Sequence, residues 1–150
     1  MNNSDNSEYK LFFTLWQKSA AKMEEEVPSF SVIVKDGAVI SEGYNTVESD
    51  QDVSAHSEII AIRNAQSAVG SRYLTGCTLV TTLEPCSMCG GAIILSRIEE
   101  VVYFAPASRE DGISSFSMEN IYQKNHFPKL TLLRDEKVVK TIKQFFKKKR

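Results

Sequence analysis

Thr78-Leu79-Val80-Thr81-Thr82-Leu83-Glu84-Pro85-Cys86-Ser87-Met88-Cys89-Gly90-Gly91-Ala92-Ile93-Ile94-Leu95 decides the fold class. Its β-branched opening reads as a buried strand, and the apolar, small-residue run after Cys89 reads as a buried helix. Between them stands Cys86-x-x-Cys89, whose spacing puts both sulfurs on one face of a helical first turn. Upstream, Ser54 precedes Ala55-His56-Ser57-Glu58-Ile59-Ile60-Ala61-Ile62-Arg63-Asn64-Ala65, where apolar and small residues recur at helical spacing after a capping type of residue. His56 and Glu58 therefore belong to the first turn of a second helix. Two helix N-termini aimed at one point favour thiolate forms of the cysteines.

His56, Cys86 and Cys89 are three soft ligands, and Glu58 is a carboxylate left over. A structural zinc site is closed by four protein ligands, whereas three leave a position for a water whose pKa falls to about 7. The pattern thus predicts a hydrolytic site with one zinc per chain, His56, Cys86 and Cys89 as ligands, and Glu58 as proton carrier. Other readings exist for the parts. Cys-x-x-Cys alone fits a redox pair, which leaves the His-x-Glu unexplained. A closed structural site needs a fourth ligand, and the other Cys and His residues are Cys77 and His126. Cys77 opens an apolar run, where a free cysteine is usually a small buried hydrophobe.

The rest of the chain alternates. Glu8 to Glu26 carries Leu11, Phe12, Leu15, Trp16 and Met23 at helical intervals, the pattern of a helix packed on a core. Phe30 to Val34 and Ala38 to Ser41 are strand-like and flank Lys35-Asp36-Gly37, a hairpin signal. Glu42 to Ser54 reads as a polar loop, Val101 to Phe104 as a strand and Pro106 to Ser117 as a loop. Glu119 to Lys124 is expected to form a short helix, Leu130 to Leu133 a strand and Asp135 to Lys149 a C-terminal helix whose Phe145 and Phe146 anchor it in the core. Strands alternating with helices predict an α/β fold, a three-layer α/β/α sandwich around a mixed sheet of about five strands. No repeat or linker interrupts it, so residues 1–150 are expected to form one domain.

Composition agrees. The 150 residues are 42% hydrophobic and 25% charged, with a formal net charge of −1, ordinary for a globular chain and too balanced for general nucleic-acid adhesion. No apolar stretch approaches the roughly 20 residues that span a bilayer, and Met1-Asn2-Asn3-Ser4-Asp5 lacks the features of a signal peptide. Two of the three cysteines are claimed by the metal, leaving no disulfide framework. These features predict a cytoplasmic protein with no membrane partner. The C-terminal segment is locally basic: Arg134, Lys137, Lys140, Lys143, Lys147, Lys148, Lys149 and Arg150 stand against Asp135 and Glu136. Basic residues there also suit the helix dipole.

His-x-Glu followed by Pro-Cys-x-x-Cys is the signature of zinc-dependent nucleobase deaminases. Ala55-His56-Ser57-Glu58-Ile59, Thr81 through Ile93, Leu95-Ser96-Arg97-Ile98 and Val101-Val102-Tyr103 resemble the bacterial tRNA adenosine deaminases of the cytidine deaminase-like superfamily. Glu26-Val27-Pro28, Glu42-Gly43-Tyr44-Asn45, Asn125-His126 and Phe145-Phe146 have counterparts at similar spacing, so the likeness covers nearly the whole chain. The resemblance implies zinc on His56, Cys86 and Cys89, proton transfer by Glu58, purine contact by Asn45, and a pocket lined by backbone around Ala55 and the Leu83-Glu84-Pro85 turn. It also implies a homodimer, and a basic C-terminal helix facing a tRNA anticodon loop whose wobble adenosine becomes inosine. Glu84 is expected to be mainly structural.

Two stretches depart from that family. Phe104-Ala105-Pro106-Ala107 stands where Gly-Ala-Arg-Asp is usual, placing Ala107 at the acidic position near RNA. Ser29-Phe30-Ser31 replaces small apolar residues and glycine, and Phe30 is expected to reshape the pocket wall. Val32-Ile33-Val34-Lys35-Asp36-Gly37 and Ile121-Tyr122 also resemble bacterial guanine deaminases, and yeast-type cytosine deaminases share the metal motifs, so a small-molecule nucleobase is the alternative substrate. A non-catalytic RNA-binding subunit is a third reading, against which the intact Glu58 speaks.

Overall fold

The computed structural model describes residues 9–108, 110–117, 119, 121 and 125–149. Five strands form its sheet: β1 (Phe30–Lys35), β2 (Ala38–Tyr44), β3 (Cys77–Leu83), β4 (Glu100–Ala105) and β5 (Lys129–Leu132), in the order β2-β1-β3-β4-β5. β1 is antiparallel to β2 and β3, while β3, β4 and β5 run parallel. The helices are α1 (Lys10–Ser19), continued by a 3-10 turn at Ala20–Met23, then α2 (Val47–Asp50), α3 (Ser57–Val69), α4 (Ser87–Leu95) and α5 (Glu136–Lys149). The expected α/β sandwich on a mixed five-stranded sheet is what forms.

The period-2 alternation of the strands builds two cores. Val32, Val80, Val102 and Phe104 face one side and meet Phe12, Phe13 and Trp16 of α1 and Val138, Val139 and Ile142 of α5. Ile33, Leu79, Val101 and Tyr103 face the other and meet Ala61, Ile62 and Ala65 of α3 and Ile93 of α4. Three layers follow directly. Asp36 and Gly37, both at positive φ (50° and 77°), make the tight β1–β2 turn. Asp135 caps α5, its Oδ1 accepting the backbone N–H of Lys137 (3.0 Å) and Val138 (3.1 Å).

Several expectations are corrected. β2 runs three residues past Ser41, to Tyr44, and the expected 42–54 loop holds the short α2, whose Glu48 and Ser49 amides donate to the buried Glu26 carboxylate. The N-terminal helix stops at Ser19 as an α-helix instead of reaching Glu26. Ser54 does not cap α3: its amide and hydroxyl donate to Asp52 Oδ1, and an extended His56 (ψ 150°) is the N-cap. Phe30 is fully buried against Phe12 on the face away from α3, so it cannot shape a pocket wall. The helix expected over 119–124 falls largely outside the described residues.

Candidate active site

The pieces of the site meet at one end of the sheet, where β3 runs out beside the start of β1. β3 ends at Leu83, and Glu84-Pro85 carry the chain to Cys86, the N-cap of α4. His56 is the N-cap of α3, so both ligand segments are helix starts. Gly43 of β2 allows α3 this position. A Cβ there would lie 2.6 Å from the Ser57 carbonyl oxygen and 2.8 Å from the Ala61 amide nitrogen, so any larger residue would push the helix off the sheet.

His56 Nδ1 lies 3.5 Å from Cys89 Sγ and 3.7 Å from Cys86 Sγ. Bonds of about 2.0–2.3 Å at tetrahedral angles separate two zinc ligands by roughly 3.5 Å, so the triad fits one zinc ion. Among the described residues no fourth such ligand joins it. Cys77 is buried in the α3-side core with its thiol toward the Thr75 carbonyl, and His126 Nε2 pairs with the Ile98 carbonyl at 2.8 Å. The two cysteines share one proton: hydrogen bonding from Cys89 holds the Cys86 thiol down at about 3, and the same contact together with burial pushes Cys89 up. The His56 imidazole is raised by its hydrogen bond to Cys86. A divalent cation at this point would displace the remaining thiol and imidazolium protons.

Beside the triad is a cavity of about 180 Å³ lined by Val27, Ser29, Asn45, His56, Ser57, Glu58, Leu83, Glu84, Cys86 and Phe146. Glu58 is nearly buried and Asn45 presents an amide, so the cavity offers a carboxylate and a neutral donor and acceptor next to a Lewis-acid position. Ala55 is not among the lining residues. Its N–H donates to Asp52 and its carbonyl accepts from Thr46, so its backbone serves the α2 loop. Two contributors escaped the sequence reading. Ser29 reaches the cavity because Phe30 turns away, a consequence of strand alternation. Phe146, expected with Phe145 to anchor α5 in the core, is instead 40% exposed and lines the cavity, while Phe145 is half-buried and belongs to neither core; Val138, Val139 and Ile142 do the anchoring, one turn and more earlier on the helix.

Residues 6–105 match the family model of the cytidine and deoxycytidylate deaminase zinc-binding region. The chain belongs to the cytidine and deoxycytidylate deaminase family. It is 39% identical over 144 residues to a tRNA-specific adenosine deaminase of Aquifex aeolicus, covering 95% of each chain. Over 97 residues it is 49% identical to a guanine deaminase of Bacillus subtilis, covering 65% of this chain and 62% of that one. A solved structure from work on A-to-I editing by tRNA:A34 deaminases at the wobble position superposes with a TM-score of 0.71 at 32% identity, over 87% of this chain and 93% of the other. As a deaminase of this family the protein is a zinc-dependent hydrolase, and the His56, Cys86 and Cys89 cluster is where one zinc fits.

Proposed function

We propose that this deaminase converts the wobble adenosine of a tRNA to inosine with release of ammonia. The observation that carries this reading is the extent of the likeness: with the Aquifex tRNA-specific adenosine deaminase it spans 95% of both chains and so reaches into α5, whereas with the guanine deaminase it spans about two thirds. α5 matters because it places Phe146 at the cavity and then continues into Lys147 and Lys148. An aromatic ring beside a basic strip suits a base withdrawn from its loop with phosphates on either side. A target base must leave its stack to reach so enclosed a carboxylate.

Zinc held by His56, Cys86 and Cys89 would supply an acidified water for attack on the amino-bearing ring carbon. The remaining work falls to this chain. Glu58 takes one proton from the attacking water and passes it to the ring nitrogen next to the reacting carbon, then takes the second from the hydroxyl now on that carbon and gives it to the leaving amine, so that adenosine and water give inosine and ammonia. Asn45 offers its amide to the purine edge. Glu84 is committed elsewhere: Oε1 accepts from the Ala107 amide (3.1 Å) and Oε2 from the amide and hydroxyl of Ser114.

The whole chain is read as one domain, supported by the single sheet that both helical layers cover. Among the described residues no helix is long and apolar enough to cross a membrane, and a tRNA substrate suits a cytoplasmic setting. A homodimer is supported by the exposed Leu95 and Tyr73 lining a groove between α3 and α4, an apolar surface of the sort partners cover. Light scattering of the full chain should give twice the monomer mass, and Leu95→Glu half of that.

The deciding experiment incubates the purified zinc-loaded protein with an anticodon stem-loop carrying adenosine at the wobble position, and separately with free guanine, cytosine and adenosine. Inosine in the stem-loop is the expected product. Xanthine from guanine, with no inosine, would replace this reading with the free-base one that the Bacillus guanine deaminase likeness favours.

A further inference from the structure

Behind Glu58 lies a group of hydroxyls that the chemistry above does not use. The antiparallel register sets Ser31 of β1 directly opposite Thr81 of β3, and Ser29 precedes Ser31 on the same face two residues away. Ser57, the first residue of α3, fits between them. Ser31, Ser57, Thr81 and Thr82 are completely buried and Ser29 nearly so. Farther along the same interface Ile33, Leu79 and Ala61 do the packing. A buried hydroxyl costs stability unless it is bonded, so five of them converging at one end of an apolar interface call for a role.

Their protons have one consistent direction. Ser57 Oγ donates to Glu58 Oε1 at 2.6 Å, which uses its only proton. Its contacts with Ser29 Oγ (2.9 Å) and Ser31 Oγ (2.8 Å) must then be donations to Ser57, filling both of its lone pairs. Ser31 has therefore spent its proton and accepts from Thr81 Oγ1 at 2.7 Å. Ser29 accepts from Thr82 Oγ1 (3.3 Å), which itself accepts the Phe30 amide (3.1 Å). Both chains of donations, from Thr82 through Ser29 and from Thr81 through Ser31, pass through Ser57 and end at one carboxylate oxygen. Ser29, Ser31 and Thr81 also stand 3.4 Å from that same Oε1, and none of these contacts is to Oε2.

We propose that Ser57, oriented by Ser29, Ser31 and Thr81, is a positioning residue for Glu58: it ties Oε1 to the protein and so reserves Oε2 as the oxygen that exchanges protons with the substrate. The proposal rests on the reading of Glu58 as proton carrier. A carboxylate free to rotate about its last bond would present either oxygen, and small misplacements of a reacting group are costly. The serine cluster removes that freedom by filling Oε1 with a short, charge-assisted bond.

The test uses the full-length, zinc-loaded protein and whichever of the stem-loop or guanine it turns over. Ser57→Ala should lower kcat by about 10- to 100-fold while KM stays within about twofold and zinc stays at one per chain. In a Glu58→Gln background the same serine change should add less than about twofold, since its effect passes through the missing carboxylate. Unchanged kcat in a folded, zinc-loaded Ser57→Ala protein would overturn the proposal, as would an equal loss in both backgrounds. Should Ser57→Ala fail to fold, Ser31→Ala decides: it removes one of the two donations to Ser57, and a smaller drop in kcat at constant KM is expected, no drop overturning the idea. Near-normal turnover by Glu58→Gln alone would instead sink the reading of Glu58, an outcome seen without any serine variant.

Discussion

Ser114 gives both its backbone N–H (2.9 Å) and its hydroxyl (2.6 Å) to Oε2 of Glu84, a carboxylate 30 residues earlier that also lines the cavity. With Oε1 on the Ala107 amide, Glu84 is a clasp that holds Ala107 and Ser114 against the metal-ligand turn. Glu84→Gln would turn an NH₂ group toward one of these donors. Losing one charge-assisted bond from a buried group costs about 1–3 kcal/mol, which calorimetry should register as a fall of several degrees in melting temperature, with zinc content unchanged. Wild-type stability in this variant would mean Ala107 and Ser114 are held by other interactions.

The metal should depend on three residues and no more. Cys86→Ser and Cys89→Ser should each strip zinc from the purified protein, whereas Cys77→Ser should keep about one per chain, because Cys77 lies in the α3-side core and not in the triad. Elemental analysis checks this directly, and zinc loss from a folded Cys77→Ser protein would count against the open site.

Removal of the metal exposes the cysteine electrostatics. Cys86 is held at about 3 against an ordinary 9.0, so the metal-free fold binds fewer protons there than the unfolded chain does between those values. The stabilisation is complete above the unfolded value and is lost as pH falls through the folded one. Chelator-treated protein should therefore keep a reactive thiolate at pH 5, where brief alkylation followed by peptide mapping should label Cys86 ahead of Cys77, whose thiol burial raises. Zinc should protect Cys86.

Gly43 tests how the site's height above the sheet is set. Both atoms a Cβ would strike belong to the α3 backbone, so Gly43→Ala must move the helix that begins beside His56. Overpacking of this kind costs about 1–3 kcal/mol, and the expected signature is weaker zinc retention together with a lower melting temperature. Loss of stability with full zinc affinity would separate the helix position from the metal.

The basic end of α5 tests the RNA reading. Lys149 is engaged with Glu25 at 2.5 Å, so Lys147 and Lys148 are the informative positions. Replacing both by Ala should weaken stem-loop binding and reduce its salt slope by about 0.7–0.9 for each phosphate left without a cationic partner, leaving zinc intact. Phe146→Ala, at the cavity rim, should act differently, raising KM without changing the salt slope. Equal affinity of the double lysine variant at every salt concentration would leave those lysines a solvated helix end.

Much of this was legible in the sequence because the relevant signals are local. Cys86 and Cys89 lie within one turn, the Asp36-Gly37 turn needs two positive φ values, and β-branched runs alternate faces wherever they occur. What escaped depended on distance. Ser54 looks like a cap until Asp52 is seen to take its donors. Phe30 looks like a pocket residue until the register with β3 sends it to the α1 side and Ser29 and Ser31 to the other. The Ser29, Ser31, Ser57 and Thr81 cluster draws on three separate elements, and single-element periodicity carries no trace of it.

Phe146 gives the last helix a share in a cavity whose metal ligands and carboxylate lie in the first two thirds of the chain. During synthesis, His56, Glu58, Cys86 and Cys89 leave the ribosome before α5 exists, while the part of the sheet face beside α1 that Val138, Val139 and Ile142 will cover stays bare. Metal capture and pocket completion are thus separate moments in the life of a nascent chain. A premature stop ahead of α5 would yield a polypeptide carrying every zinc ligand but with its sheet open to aggregation, a burden on the cell's quality control more than a slow enzyme.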